Sequence, residues 1–219
     1  SMSFVATANA VRYTGATPVF ADIIGLEDLT IDPEAVADKI TGRTKAMIVM
    51  HYAGWPCRMA ALRDLADQFN LRIIEDSAHA VGTRYADRYL GALGDVGCYS
   101  FFSNKNLVTG EGGMLVTQNE DLANRARRLR SHGMTTLTWD RHKGHAWSYD
   151  VVDLGYNYRI DEIRAAIGRR QLEKLAANNA KRRELVRYYH QAISSQIPEI
   201  SIPFGPLTDE INPHIMPVI

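Results

Sequence analysis

Short apolar runs alternate with amphipathic stretches along the first half of this chain. Residues 17–23 (TPVFADI) follow Gly15 and predict a strand. Asp32-Pro33-Glu34 then offers an N-cap, a proline suited to a first turn and an acidic residue, which predicts a helix to about Ile40. Residues 45–50 (KAMIVM) form a near-continuous apolar run, and 59–70 place Leu62, Leu65 and Phe69 on one helical face. Residues 71–74 (LRII) predict a third strand. Apolar runs without strict alternation suit strands covered on both sides, so the pattern predicts an α/β fold with a mainly parallel sheet between helices. Ligands gather at the carboxyl ends of the strands in such sheets. His51, Asp76 and His79 fall there.

Beyond a Gly- and Tyr-rich loop over 80–95, residues 98–117 (CYSFFSNKNLVTGEGGMLVT) run from an apolar segment through a polar turn into a second β-like segment. A helix follows at 120–131. Its Arg125, Arg127, Arg128 and Arg130 read as a solvated face whose cations complement the C-terminal dipole. Residues 132–150 show no period and predict a long loop. The longest helical pattern covers 161–193, with Asn178-Asn179 marking a break. The proline-rich remainder carries strand-like 199–202 and 214–219. Two units are expected: a large domain over 1–176, and a connecting helix with the start of a small C-terminal domain over 177–219. Both ends read as interior to a larger fold.

Composition narrows the classes. The 219 residues carry a formal net charge of zero, with 46% hydrophobic and 23% charged residues, an ordinary balance for a soluble globular protein. Charge therefore gives no reason to expect a nucleic acid or an anionic membrane as partner. Without a membrane-length apolar run or a signal-peptide pattern, the default expectation is cytoplasmic. Cys57 and Cys98 lack CxxC spacing, which argues against a disulfide framework or cysteine metal site. His132, His142 and His145 are not at metal-ligand spacing either.

The candidate chemistry centres on Lys105. This lysine sits in a turn between two strands, among aromatic residues and the hydroxyls of Ser100, Ser103 and Thr109. Partial desolvation there favours the neutral amine that Schiff-base formation needs. Asp76 ends a buried-type strand on the same side of the predicted sheet. A lysine that condenses with an aldehyde, and a carboxylate that keeps a pyridine nitrogen protonated, are the two groups a pyridoxal phosphate enzyme requires. The glycines at 110, 112 and 113 would let backbone pass close to a bulky ligand.

Several strings carry a family resemblance: FVATANA at 4–10, GATPVFAD at 15–22, RTKA at 43–46, EDSAHA at 75–80, the segment 94–113, and GYNYR at 155–159. Together they resemble the DegT/DnrJ/EryC1/StrS family of sugar aminotransferases, over nearly the whole chain. The resemblance implies a fold-type-I pyridoxal phosphate enzyme with a seven-stranded type of sheet. It implies transfer of an amino group from an amino acid, usually glutamate, through pyridoxamine phosphate to a nucleotide-linked keto-sugar, in a homodimer with shared active sites. By the same resemblance Lys105 is the Schiff-base lysine and Asp76 the partner of the ring nitrogen. Ser100 bonds the cofactor phosphate, Phe4 lies against the ring, and His79 packs near the other ring face or the 3-hydroxyl. Asn157 reaches the phosphate of the neighbouring subunit's cofactor, with Arg159 the next candidate there, and His214 lies near the substrate.

The departures are equally specific. Family members carry, ahead of the position where this sequence opens, a Gly-Thr turn at a helix N-terminus that binds phosphate through backbone amides. The small domain stops soon after His214. Lys105 argues against the dehydratase branch, in which histidine replaces the lysine. The alternative is a catalytically inactive or regulatory homologue that keeps the fold without competent cofactor binding. A nucleotide-binding doubly wound domain would need a GxGxxG turn after its first strand, which is lacking.

Overall fold

The computed structural model describes residues 2–135, 144 and 150–219. Helix α1 (Val5–Tyr13) opens the chain. A hairpin of β1 (Ile23–Gly25) and β2 (Asp28–Ile31) follows, then α2 (Pro33–Ala37), β3 (Ala46–Met50), α3 (Met59–Phe69) and β4 (Arg72–Asp76). A small hairpin of β5 (Arg84–Tyr85) and β6 (Arg88–Tyr89) precedes β7 (Val96–Ser100) and β8 (Gly113–Val116). Helices α4 (Glu120–Leu129) and α5 (Glu162–Gln196) follow.

The central sheet has the order β3-β4-β7-β8. The first three strands run parallel and β8 runs antiparallel to β7, so the sheet is mixed. Its register decides what each side chain does. Met47 pairs with Ile73 and Val49 with Glu75. Met47, Val49 and Ile73 are buried together against Leu62 and Ala66 of α3 and Val36 of α2. Asp76, one residue on, must therefore point to the opposite face from Glu75. Val81, Phe101 and Leu107 form a second cluster, packed by Tyr99 and by Leu175 of α5.

Several expectations need correction. The strand expected at 17–23 begins only at Ile23: Pro18 has no N–H to give a ladder, and Val19 and Phe20 point into solvent. Helix α2 stops at Ala37, short of Ile40. The loop at 80–95 contains the β5–β6 hairpin, turned through Ala86 and Asp87 at positive φ. Asn178-Asn179 does not break α5, because Asn179 is buried and its polar atoms are satisfied by tertiary partners. The strands expected at 199–202 and 214–219 do not form; Ser201 and Ile219 exchange one pair of backbone hydrogen bonds at 2.8 Å. Most of the predicted loop at 132–150, with His142 and His145, lies outside the described residues.

One buried carboxylate ties the sheet together. Glu75 Oε2 lies 2.9 Å from His51 Nε2 and accepts from the Gly91 amide at 2.6 Å, while Oε1 accepts from the amides of Leu93, at 2.7 Å, and Gly94. Because Cys57 N–H donates to His51 Nδ1 at 3.2 Å, the ring's proton is on Nε2, facing Glu75. His51 therefore belongs to this framework rather than to the ligand site its strand-end position suggested. Burial pushes the Glu75 carboxyl up, but the His51 bond and the Gly94 and Gly91 amides outweigh it and hold the group below the usual range. A carboxyl depressed in this way stabilises the fold above its unfolded value near 4.5, and loses that contribution as pH falls through the folded value. Glu75→Gln turns an NH2 toward these donors and is expected to lower stability by about 3 kcal/mol at pH 7. The gap to the native protein should narrow in acid; urea melts at pH 7 and pH 3.5 measure both.

Candidate active site

The sheet's carboxyl edge collects Asp76, Lys105, His79 and His214. Asp76 is the last residue of β4 and pairs in register with Cys98 of β7. Its two oxygens are held separately: Thr7 of α1 donates to Oδ2 at 2.6 Å, and the Ala78 amide donates to Oδ1 at 3.1 Å. Both bonds hold the carboxyl group in one orientation. Helix α1 thus reaches the site through Thr7, whereas Phe4, at its N-cap, is 65% exposed.

Lys105 lies in the loop between β7 and β8. The neck of that loop is closed by Thr109 N–H to the Phe101 carbonyl at 2.8 Å and Phe101 N–H to the Gly112 carbonyl at 2.9 Å. Gly112 is required: its φ is 152°, and a β-carbon there would meet Thr109 Oγ1 at 2.6 Å. Burial pushes the Lys105 ammonium below its ordinary range, against the opposing pull of Asp76. The same environment acts on Cys98, whose thiol is pushed up by burial and then by Asp76. Ser100 ends β7, and its Oγ accepts from the Phe102 amide at 3.3 Å.

Two imidazoles line the site beside the lysine. The His79 and His214 rings lie 4.3 Å apart between centroids, and Tyr52 leans on His79 at 5.9 Å. Burial, and then the Lys105 charge, push His79 down to about 4 against the pull of Asp76. Burial, His79, Lys105 and Arg182 push His214 down to about 3. Both rings are neutral at physiological pH. The Ala53 backbone fixes each of them, its N–H donating to His79 Nδ1 at 3.3 Å and its carbonyl accepting from the His214 amide at 2.8 Å.

Of the residues singled out in the sequence, the structure groups Asp76, Lys105, His79 and His214, with Ser100 at the end of the adjoining strand. Asn157 and Arg159 are elsewhere and exposed, on a segment stitched to the end of α4 by Tyr156 N–H to the Leu129 carbonyl at 2.6 Å and Tyr158 N–H to the Arg130 carbonyl at 2.9 Å. Among the described residues neither bonds to the Lys105 group. Sequence reasoning missed Thr7, Tyr52, Asn106 and Asn179. Only the Asn178-Asn179 pair carried a signal, and it points equally well to a helix break.

The donor set suits pyridoxal phosphate. An oriented carboxylate, an amine depressed by burial and neutral rings around them match a protonated pyridine, an aldehyde carbon and an aromatic face respectively. No group of three or more His, Cys, Asp or Glu that could hold a metal occurs among the described residues.

Comparison with known proteins places the chain in a family and agrees with its fold. The spore coat polysaccharide biosynthesis protein SpsC of Bacillus subtilis (strain 168) is 42% identical over 204 residues, covering 93% of this chain and 52% of SpsC. The chain thus spans about half the length of that curated relative. The crystal structure of the aminotransferase TlmJ from Streptoalloteichus hindustanus superposes with a TM-score of 0.87 at 37% identity, covering 99% of this chain and 56% of TlmJ. DesI, solved in the presence of its TDP-sugar product, superposes with a TM-score of 0.82 at 32% identity, covering 99% of this chain and 52% of DesI. The family profile itself matches residues 1–219. With the α/β fold, the Asp76–Lys105 pair and a match over its full length, the chain belongs to the DegT/DnrJ/EryC1/StrS aminotransferase family, whose cofactor is pyridoxal phosphate.

Proposed function

We propose that this chain forms the cofactor-binding part of a pyridoxal phosphate-dependent aminotransferase that moves an amino group from glutamate to a nucleotide-linked keto-sugar. The observation that carries the reading is the placement of Asp76 and Lys105 on one sheet edge, the carboxylate oriented by Thr7 and the amine depressed by burial. The sugar assignment is supported by the TDP-sugar product of DesI and the polysaccharide role in the SpsC name.

Bound here, pyridoxal phosphate supplies an aldehyde carbon for an amine and a ring that accepts electrons from the carbon being deprotonated. Asp76, its two oxygens held apart by Thr7 and the Ala78 amide, would face the ring nitrogen. Lys105 would hold the group through its amine and is the base placed to move a proton there. An amine below its ordinary range exchanges protons near neutral pH more readily than a solvated lysine does. His79, neutral, packs against the ring without adding a cation next to Lys105. Ser100 would take the phosphate, and Phe4 would lie against the ring.

Asn157 and Arg159 fit a second copy of the chain. Phe4, Tyr13, Phe20, Leu154, Tyr158 and Ile163 are large apolar residues left exposed, an unusual load for a surface that faces only water. A homodimer would cover them and would bring Asn157 to the partner's cofactor phosphate.

Adding pyridoxal phosphate to the protein should produce a visible absorbance band that Lys105→Ala abolishes. Colour retained in that variant rules out Lys105 as the attachment point, and no colour in the native protein favours the inactive-homologue reading. Thr7→Val is expected to weaken cofactor binding about 5- to 10-fold, since one charge-assisted bond of about 1 kcal/mol is lost. Absorbance titration measures it. Sedimentation analysis should show a dimer that Leu154→Asp weakens.

A further inference from the structure

A chain of hydrogen bonds runs from the backbone of the loop after β4 through two asparagines to His214, and it leaves no freedom in the ring's tautomer. The Val81 carbonyl can only accept, so the Asn179 atom 3.1 Å from it is the amide nitrogen. Asn179 Oδ1 is then an acceptor, and the atom of Asn106 at 3.1 Å must be Nδ2, which also lies 3.3 Å from the Pro213 carbonyl. Asn106 Oδ1 is left to face His214 Nδ1 at 3.2 Å. An amide oxygen cannot donate, so the proton of that bond belongs to the histidine. Both asparagines are buried, Asn106 at 7% and Asn179 at 3% exposure, and water has little access to take over either role.

His79 is fixed in the opposite sense. The Ala53 N–H donates to its Nδ1, which places the His79 proton on Nε2. Two adjacent neutral rings beside Lys105, tilted by 39°, thus carry different edges: His79 offers an N–H donor, and His214 offers a bare nitrogen.

We propose that Asn106, oriented by Asn179, is a positioning residue that locks His214 in the Nδ1–H tautomer, so that its Nε2 is a hydrogen-bond acceptor in the site. Asn106 directly follows Lys105, so the residue that sets the tautomer is covalently tied to the reactive amine. Asn179 comes from the middle of α5 and Pro213 precedes His214, so one side chain registers three distant segments. The ligand chemistry selected by this edge is a hydrogen-bond donor such as a sugar hydroxyl, and a bare acceptor group would be disfavoured. That use rests on the aminotransferase reading, whereas the tautomer does not.

The test is long-range proton–nitrogen correlation NMR on protein labelled with nitrogen-15 histidine, without added cofactor, with His214 assigned by its loss in His214→Gln. The native spectrum should show His214 protonated at Nδ1 and bare at Nε2, and His79 the reverse. In Asn106→Asp a carboxylate faces Nδ1, among the surrounding charges of Lys105 and Arg182 and the neutral His79. The His214 titration midpoint should rise by about 1–3 units. Asn106→Leu removes the acceptor and should release the ring to the Nε2–H form. Asn179→Asp still accepts from Asn106 and should leave the tautomer unchanged, so a loss of packing alone is distinguishable from a loss of orientation. An Nε2–H resonance for His214 in the native protein, or an unchanged Nδ1–H resonance in Asn106→Leu, would overturn the proposal. Failure of cofactor to colour the native protein would leave these NMR outcomes untouched and would count against the aminotransferase reading alone.

Discussion

The structure depends on a carboxylate with no access to water. Glu75 is fully buried in the central strand, and it is tolerable there only because His51 and the amides of Gly91, Leu93 and Gly94 converge on its two oxygens. Those same bonds fix the 91–94 turn against β4. The path of that turn in turn sets where β7 begins, and hence where the Lys105 loop leaves the sheet. Gly97 records how tight this arrangement is, since a β-carbon on it would collide with the Gly91 backbone.

Adjacent acidic residues therefore do unrelated work. Glu75 faces α3 and holds the framework; Asp76 faces the other way and meets Thr7, Lys105 and His79. Strand alternation makes this division. Beside Lys105 stand the Asp76 carboxyl group and two rings kept neutral by burial and by the lysine's own charge.

Much of the fold was legible in the sequence because β3, β4 and α3 follow simple periodic rules. Lys105 and Asp76 were legible because strand ends are where such a sheet exposes chemistry. The failures have local causes. The β5–β6 turn uses Ala86 and Asp87 at positive φ, where glycine or asparagine would have given a signal. Helix α1 carries no acidic first turn and no side-chain cap, so its start at Phe4 is silent. Asn179 was noticed for its low helix propensity, yet its bonds run to Val81 and Asn106, 98 and 73 residues away in sequence. Local pattern cannot report a partner at that separation. Asn157 and Arg159 lie at a surface, where one chain by itself says little about what they meet.

The state of Cys98 bears on chemoselectivity. This thiol sits in register with Asp76, and a thiolate is a far better nucleophile than a thiol. Burial and the facing carboxylate keep the sulfur protonated, while the same burial favours the uncharged, reactive form of the Lys105 amine. One environment thus silences one nucleophile and awakens the other, so that an electrophile entering the site meets a competent nitrogen and an inert sulfur.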